Sequence, residues 1–477
     1  MKRLFLFALS ALLAVPALAE IRLPAIIGND MVLQQQADVL LWGWCDPDTK
    51  VSIAPSWSKT VYTALSDGTG RWEATVPTVG AGGPYEILIR AGKEQRLLTN
   101  VLLGEVWLCG GQSNMDISFR GLRNQPILHA ADEILDSNYP ELRLFRVARG
   151  YSFEPQEDCK GSWRVSSPES AETQSAVGFL FGRLLHQREK VPVGIITCAW
   201  GGSRVEAWMS RENVLRFKGV KIPATVEPNR VNVTPTMLFN GMIRPIAGFR
   251  IRGCLFYQGE ANCTNPAAYK ERFPEMVKEW RSLWGYEFPF FYVQLAPFTY
   301  DNMGDRFDKR QVAYFREVQH ECQRLIPSSA MAATSDIGAR HTIHPADKQT
   351  LAKRLYYLAA AKVYGRRGFQ CQGPEYKEME IHNDTIALRF KNTPYGISSN
   401  GRRIVGFEIA GEDRVFHPAE AWVKNGATVW VRSGEVKNPV AVRYCFSNYH
   451  EPANLYNNYG LVAYPFRTDD WAQEKNR

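Results

Sequence analysis

The sequence has no long apolar run beyond its first residues. After the N-terminus, no stretch of about 18 uninterrupted apolar residues occurs, which is the length that a helix needs to cross a bilayer, so we expect no membrane span. The formal net charge of +8 is spread along the chain without a cluster of Lys and Arg. Because nucleic-acid binding requires such a cluster, we expect no nucleic-acid partner.

Patterns typical of zinc binding are also missing. The nine cysteines are scattered, with no C-x-x-C pair, and the chain contains no H-E-x-x-H segment. An odd number of cysteines leaves at least one thiol unpaired, even in an oxidising compartment. Cys109, Cys198 and Cys254 stand within apolar runs and are expected to be core residues.

The first residues have the features of a bacterial signal peptide. Lys2 and Arg3 form a positive segment, and the apolar stretch that follows them, residues 4–15, is too short to span a membrane. Small residues at Ala17 and Ala19 fit the positions that a signal peptidase reads. The sequence therefore predicts a signal peptide over 1–19, cleavage after Ala19, and a periplasmic or secreted protein.

Three further regions differ in pattern. Residues 20–103 contain short β-rich runs separated by turn signals, which predicts an N-terminal β domain of sandwich type. Residues 104–369 alternate buried strands with helices, which predicts a parallel α/β domain with helices on both faces of the sheet. Residues 370–477 return to alternating strand patterns and are expected to form a C-terminal β-rich, sandwich-like domain.

Within the α/β region, continuous apolar runs bounded by Gly, Asn or Pro predict the strands, and apolar residues at helical spacing predict the helices. The strand candidates are 106–109, 193–199, 251–257, 288–295 and 330–334, and the helix candidates are 269–283 and 345–364. The second helix is expected to open with Pro345 in its first turn and to end at Gly365.

Reactive or polar side chains follow four of these strands. Because sites in parallel sheets form at the carboxyl ends of strands, these places are the candidates for chemistry. Ser113 in a glycine-rich turn is a candidate nucleophile, Asn262 a candidate oxyanion donor, and His344 a candidate general base. Taken alone, each of these residues would more often have a structural role, and Ser203 is a rival nucleophile.

The blocks that contain these residues resemble, in their order, the four-block pattern of SGNH hydrolases. More narrowly, several long motifs resemble those of sialate O-acetylesterases, and together with motifs near both ends they cover nearly the whole mature chain. The motifs are Gly104-Glu105-Val106-Trp107, Gly110-Gly111-Gln112-Ser113-Asn114-Met115, Trp200-Gly201-Gly202-Ser203, Asn240-Gly241-Met242-Ile243-Arg244-Pro245, Tyr257-Gln258-Gly259-Glu260-Ala261-Asn262, and Ile343-His344-Pro345 with Lys348.

The resemblance implies an SGNH-type α/β/α fold and a serine esterase that removes acetyl groups from carbohydrate without a cofactor. Ser113 would be the nucleophile and His344 its base. The oxyanion hole would consist of the backbone N–H of Ser113, an N–H of Gly201 or Gly202, and the side chain of Asn262.

Other polar residues of these blocks are expected to bind the sugar. They are Gln112, Arg204, Gln258 and Glu260. Arg204 and the positive charge balance of the chain would favour a substrate that carries a carboxylate, as sialic acid does. Acetylated xylan or another acetylated glycan is the alternative substrate.

One position departs from the general SGNH pattern. That pattern has Asp three residues before the catalytic His, where this chain has His341. Asp336 is the replacement that we expect to orient His344, with a backbone carbonyl or a Ser-His dyad as the alternative.

Two readings of other classes remain open at this stage. In a metal hydrolase, His341, His344 and Asp336 would be the ligands. A carbohydrate-binding protein without catalysis would use some of the 13 Trp and 20 Tyr for stacking on sugars. No pattern in the sequence specifies an oligomeric state.

Overall fold

The computed structural model describes residues 20–300 and 308–472. The predicted signal peptide therefore lies outside the described residues. In the described part, no helix combines the length and the apolar character that a membrane crossing requires.

The N-terminal region is built from strands, as the turn signals predict. A two-stranded antiparallel sheet pairs β2 with β5, and the other strands join a larger sheet through the long strand β7. The strands are β1 (Val32–Gln34), β2 (Asp38–Trp44), β3 (Lys50–Pro55), β4 (Tyr62–Leu65), β5 (Arg71–Pro77), β6 (Gly82–Ala91) and β7 (Glu94–Gly111).

The predicted boundary at residues 103/104 falls inside β7. The first half of this strand pairs antiparallel with β6, and its second half enters the central sheet of the α/β region. The N-terminal strands and the α/β region therefore share one continuous strand.

The α/β region alternates strands and helices, and the predicted strands are present within a few residues. It contains α1 (Ser113–Asp116), α2 (Ala130–Leu135), β8 (Tyr139–Arg146), β9 (Trp163–Ser166), α3 (Pro168–Glu172), α4 (Ala176–Glu189), β10 (Val193–Ala199), α5 (Arg211–Val214), β11 (Gly253–Tyr257), α6 (Pro266–Trp284), β12 (Phe290–Val293), α7 (Gln311–Leu325), β13 (Ser329–Ala332) and α8 (Lys348–Lys362). Short 3-10 turns lie at Val205–Trp208, Val231–Val233 and Arg244–Ile246, and a π-helical turn lies at Phe239–Ile243.

The central sheet has the order β13-β12-β11-β7-β10-β8-β9. Its strands are parallel except for β9, which pairs antiparallel with β8. Neighbouring residues of β7 face opposite layers: Cys109 lies against Gly178 of α4, whereas Gly110 lies against Trp280 of α6. Helices α4 and α6 therefore pack against β7 from opposite sides, in a sheet of the α/β class that we predicted.

Helix boundaries follow local capping chemistry. The side chain of Asn265 accepts a hydrogen bond from the N–H of Ala268 at the start of α6, and Gly285 in the left-handed conformation ends it. Asp347 caps α8 in the same way, so this helix begins at Lys348 and not, as we predicted, at Pro345. Pro345 lies in the loop before the cap.

The C-terminal region is again composed of strands. They are β14 (Glu375–His382), β15 (Thr385–Lys391), β16 (Ile397–Ser398), β17 (Phe407–Ala410), β18 (Phe416–Pro418), β19 (Glu420–Lys424), β20 (Thr428–Arg432), β21 (Ala441–Tyr444), β22 (Tyr456–Asn457) and β23 (Phe466–Arg467). Two four-stranded antiparallel sheets, β14-β15-β20-β19 and β18-β17-β21-β23, form its framework. The chain is thus of the α/β class with a mixed sheet, and the sandwich-like packing and domain division stay predictions.

All nine cysteines are free thiols. The three that we expected in the core, Cys109, Cys198 and Cys254, are fully buried. Burial raises the pKa of each of these thiols, so they are apolar core residues without thiolate reactivity.

Candidate active site

The site lies where three neighbouring parallel strands end. In the sheet register, Gly111 at the end of β7 is level with Ala199 of β10 and Tyr257 of β11. Gly111 has φ +132°, and a Cβ atom there would lie 2.1 Å from the carbonyl oxygen of Tyr257. Only glycine fits at this crossing, and it lets the chain turn directly into the segment that contains Ser113.

Ser113 and His344 come together although 231 positions separate them. Nε2 of His344 lies 2.8 Å from Oγ of Ser113, a hydrogen-bonding distance. Ser113 is the first residue of the short helix α1, a position whose backbone N–H has no partner within the helix. A base on the hydroxyl and a backbone N–H beside it are what a nucleophilic serine requires.

Gln125 forms a hydrogen bond with the other ring nitrogen of His344, Nδ1. Its Oε1 lies 2.5 Å from Nδ1 of His344 and also accepts a hydrogen bond of 2.8 Å from the hydroxyl of Thr342. An amide oxygen can only accept, so Nδ1 carries the proton and Nε2 presents its lone pair to Ser113. The tautomer is therefore the one that a general base needs.

The structure does not bring Asp336 to His344. Both carboxylate oxygens of Asp336 accept hydrogen bonds from the guanidinium of Arg354, at 2.7 and 2.6 Å. The expected role of Asp336 as the residue that orients the base is thus not supported. A bidentate partner on α8 holds the carboxylate, and the neutral Gln125 takes the position at the imidazole.

A glycine loop lies beside the nucleophile. A Cβ atom on Gly201 would lie 3.4 Å from Cβ of Ser113, so the backbone passes directly alongside the serine. Gly202 has φ +70°, a conformation that favours glycine. Asn232 fixes the loop, because its side chain donates to the carbonyl of Gly201 at 2.7 Å.

The side chain of Asn262 is oriented by three neighbours. Its Oδ1 accepts from the N–H of Val205 at 3.0 Å and from Nε2 of Gln258 at 2.7 Å, and its Nδ2 donates to Oε2 of Glu206 at 3.0 Å. Arg272 in turn forms an ion pair with Glu206. One N–H of Asn262 remains free of these contacts, as a role in an oxyanion hole requires.

The family of the chain follows from comparison with known proteins. The model of the family described as "carbohydrate esterase, sialic acid-specific acetylesterase" matches residues 103–357, the segment that contains this site. The chain belongs to this family. It is a carboxylic ester hydrolase, and the resemblance seen in the sequence is confirmed.

Similar proteins cover most of the esterase. The sialate O-acetylesterase of Mus musculus is 30% identical over 424 residues, and the match covers 76% of this chain and 76% of that protein. The sialate O-acetylesterase of Homo sapiens is 30% identical over 408 residues, and the match covers 77% of this chain and 76% of that protein. The crystal structure of XAC1771, described as a novel carbohydrate acetylesterase from Xanthomonas citri, has 33% sequence identity and a TM-score of 0.86, covering 94% of this chain and all of that one.

Ser203, the rival nucleophile, is buried in the esterase. Its side chain is inaccessible to solvent, and its Oγ accepts a hydrogen bond of 2.9 Å from Nε1 of Trp208. A hydroxyl held in this way cannot reach a substrate at the strand ends. Ser203 is therefore a structural residue of the loop.

Three residues that we expected to bind substrate lie beneath the site. Gln112, Gln258 and Glu260 are buried. Oε1 of Gln112 accepts from the N–H of Gly259 at 3.2 Å, and Nε2 of Gln258 donates to the carbonyl of Ser203 at 3.0 Å. These contacts join the loops to each other, so the expected contact with the sugar is not supported for the three residues.

Arg204 is the fourth expected binding residue, and it is exposed next to the loop of Gly201 and Gly202. Its backbone N–H donates to the carbonyl of Asn232 at 3.1 Å, which anchors the backbone while the guanidinium faces solvent. This position is compatible with binding an anionic part of a substrate.

The metal-hydrolase reading finds no support in the described residues. Between 20 and 300 and between 308 and 472, no three His, Cys, Asp or Glu side chains are grouped so that they could hold a metal ion. His341 is exposed, and Asp336 is paired with Arg354.

The environment of His344 favours the neutral base. Burial lowers the pKa of its imidazole, and the nearby Lys348 lowers it further, to about 4. His344 would therefore accept the proton of Ser113 in mildly acidic as well as neutral solution.

Sequence reasoning missed the partners that orient the site. Gln125 lies in a turn that follows no predicted strand, and Asn232 lies in the 3-10 turn Val231–Val233 between α5 and β11. Lys348 was seen as part of a motif but was given no role. Strand-end position was our signal for function, and none of these residues has it.

Proposed function

We propose that this esterase hydrolyses O-acetyl esters on carbohydrate, that O-acetylated sialic acid is its substrate, and that Ser113 is the nucleophile and His344 the general base. The observation that carries the proposal is the 2.8 Å contact between Nε2 of His344 and Oγ of Ser113, in a chain that belongs to a family of acetylesterases.

The first half of the reaction forms an acetyl-enzyme. Oγ of Ser113 attacks the acetyl carbonyl carbon while its proton passes to Nε2 of His344, and the carbonyl oxygen becomes an oxyanion. The N–H of Ser113, an N–H of Gly201 or Gly202, and the side chain of Asn262 would donate to this oxyanion. When the tetrahedral intermediate collapses, the sugar oxygen leaves and takes the proton from His344.

The second half releases acetate. His344 takes a proton from water, the resulting hydroxide attacks the acetyl-serine, and collapse of the second intermediate returns the proton to Ser113. Gln125 accepts the Nδ1 hydrogen bond throughout. Because an amide cannot supply the charge that a triad carboxylate supplies, the imidazolium is stabilised less than in an Asp-containing triad.

The guanidinium of Arg204 would pair with a carboxylate on the sugar. The guanidinium is exposed beside the glycine loop that adjoins Ser113, which supports an acidic sugar over a neutral one. Arg204→Gln should raise KM for O-acetylated sialic acid and leave KM for acetylated xylan unchanged. The exposed Arg211 on α5 is the matched control, and a rise for both sugars with Arg204→Gln would argue against carboxylate recognition.

Acetate release is the decisive measurement for the reaction. Residues 20–477 would be tested on O-acetylated sialic acid and on acetylated xylan, with Ser113→Ala alongside. Release from sialic acid alone, abolished in Ser113→Ala, supports the whole proposal, and preference for xylan would keep the mechanism and replace the substrate. Sugar binding without any release would support the non-catalytic carbohydrate-binding reading, and activity in Ser113→Ala would refute the nucleophile.

We also propose that the protein is exported to the periplasm or beyond. The support is the sequence of residues 1–19, with its positive start, short apolar segment and small residues before Glu20. Expression of the full chain in a Gram-negative host should yield a periplasmic protein whose N-terminal residue is Glu20. Retention of Met1 in the cytoplasm would contradict export.

A further inference from the structure

A fully buried lysine lies behind the Ser113–His344 pair. Lys348 is 1% exposed and opens α8, four positions after His344. Its Nζ donates to Oδ1 of Asn114 at 2.7 Å. Burying an ammonium group costs several kcal/mol unless neighbours compensate, so its position calls for a physical reason.

Asn114 joins three segments of the site. Its Nδ2 donates to Oε1 of Glu260 at 2.6 Å and to the backbone carbonyl of Ile343 at 3.0 Å. Asn114 directly follows Ser113, and Ile343 directly precedes His344. One amide group therefore ties the nucleophile segment to the loop of the general base.

Charges on both sides fix the orientation of this amide. The ammonium of Lys348 requires an acceptor, which is Oδ1 of Asn114, and the carboxylate of Glu260 requires a donor, which is Nδ2. A flipped amide would face the cation with its N–H groups and the anion with its oxygen. Lys348 and Glu260 thus hold Asn114 in the one orientation that also reaches Ile343.

We propose that Lys348 is a positioning residue of the reaction: it holds Ser113 and His344 in register through Asn114, and its positive charge acts on the imidazole of His344. This inference rests on the proposed catalytic roles of Ser113 and His344.

Of the charged groups around His344, Lys348 is the one that lowers the pKa of its imidazole. Gln125, at Nδ1, is neutral, and Glu260 accepts from the same Nδ2 of Asn114 that donates to Ile343. The carboxylate of Asp336 is paired with Arg354. Asp347 accepts from the N–H and hydroxyl of Thr350 at the start of α8, and His341 in the same loop is exposed.

Lys348 is charged over the pH range in which His344 titrates. Burial lowers the pKa of Lys348 to about 7, against the opposing effect of Glu260 and Asp347. Below pH 7 the ammonium form predominates, which includes the whole range over which His344 titrates. Because like charges disfavour each other, protonation of His344 is disfavoured throughout that range.

Two substitutions of Lys348 test its contact with Asn114 and its charge together. Lys348→Met keeps the length and removes both charge and donor, whereas Lys348→Arg keeps both. The exposed Lys353 on the same helix supplies the control Lys353→Met. Each folded variant, verified by circular dichroism and gel filtration, would be assayed for acetate release from pH 3.5 to 9.

For Lys348→Met we expect kcat to fall about 10- to 100-fold, since small misplacements of reacting groups have effects of that size. The acid limb of kcat/KM should move up by about one pH unit, because the cation that disfavours protonation is gone. Lys348→Arg should keep the acid limb of the parent, and Lys353→Met should behave as the parent does.

A folded Lys348→Met variant with the parental acid limb would overturn the proposal. If this variant does not fold, Lys348→Gln is compared with Lys348→Arg, since both retain an N–H donor and only Arg retains the charge; equal acid limbs would then overturn it. Failure of the proposed function is a separate result, since it shows as activity that persists in Ser113→Ala or His344→Ala.

Discussion

Replacing Gln125 by Glu would place a carboxylate where the site has a neutral amide. The two side chains have nearly the same shape, so Oε1 can stay 2.5 Å from Nδ1 of His344 and keep the hydrogen bond from Thr342. The change alters the charge beside the imidazole and little else. It converts the observed arrangement into one that resembles an acid-containing triad.

The size of the effect follows from the contact. A hydrogen bond to a charged group contributes about 1.5–3 kcal/mol, against about 0.5–1.5 kcal/mol between neutral groups. The difference of about 1–2 kcal/mol corresponds to about one pKa unit, since one unit is 1.36 kcal/mol. The pKa of His344, lowered to about 4 by burial and by Lys348, should therefore rise to about 5.

Activity depends on the unprotonated imidazole, which fixes the direction of the change. As the pH falls through the pKa of His344, the base is lost, so a higher pKa moves the acid limb of kcat/KM to higher pH. We would measure acetate release from pH 3.5 to 8 for the parent, Gln125→Glu and Gln125→Ala. If Gln125→Glu is folded and its acid limb coincides with that of the parent, the assignment of Gln125 as the partner of His344 is refuted.

Three further substitutions test the remaining roles. Asp336→Ala should lower the free energy of unfolding by about 3 kcal/mol, because it leaves the guanidinium of Arg354 buried without its carboxylate partner. At a temperature where this variant is folded, its kcat should be nearly unchanged. A loss of kcat above about 10³-fold, as expected for a triad member, would restore Asp336 to the triad. Asn262→Ala should lower kcat by about 10²- to 10³-fold if its side chain donates to the oxyanion, and an unchanged kcat would remove it from the hole. Ser203→Ala should cost about 1 kcal/mol of stability through the lost contact with Trp208 and retain activity, whereas complete inactivation with a normal melting temperature would revive Ser203 as the nucleophile.

The neutral Gln125 and the buried cation Lys348 together affect the pH range in which the enzyme is active. An acid-containing triad raises the basicity of its histidine, whereas Gln125 adds no charge and Lys348 opposes protonation. The base is weaker for that reason but stays available at lower pH. This arrangement fits hydrolysis in mildly acidic surroundings.

Much of the fold was predictable because the central strands are buried on both faces. Such strands appear in the sequence as continuous apolar runs, and β10 occupies the residues that we predicted for it, 193–199. The helices α4 and α7 lie between predicted strands, as the alternation predicts, but no bounds were predicted for them. The helix α8 begins three residues later than predicted, because Asp347 and not the proline motif caps it. Capping is decided by the side-chain hydrogen bond, which a pattern of residue types leaves open.

The sequence by itself determined the family, the order of strands and helices, and the candidates Ser113 and His344. Local motifs indicate the family, apolar runs indicate the strands, and the two candidates follow the ends of predicted strands. Tertiary structure alone decided which side chains complete the site. Gln125 reaches His344 across 219 positions and Lys348 reaches Asn114 across 234, and Arg354 takes the carboxylate of Asp336 away from the site. The physical reason is that hydrogen-bond partners are chosen by distance and burial in the folded chain, and residue spacing along the sequence carries no information on either.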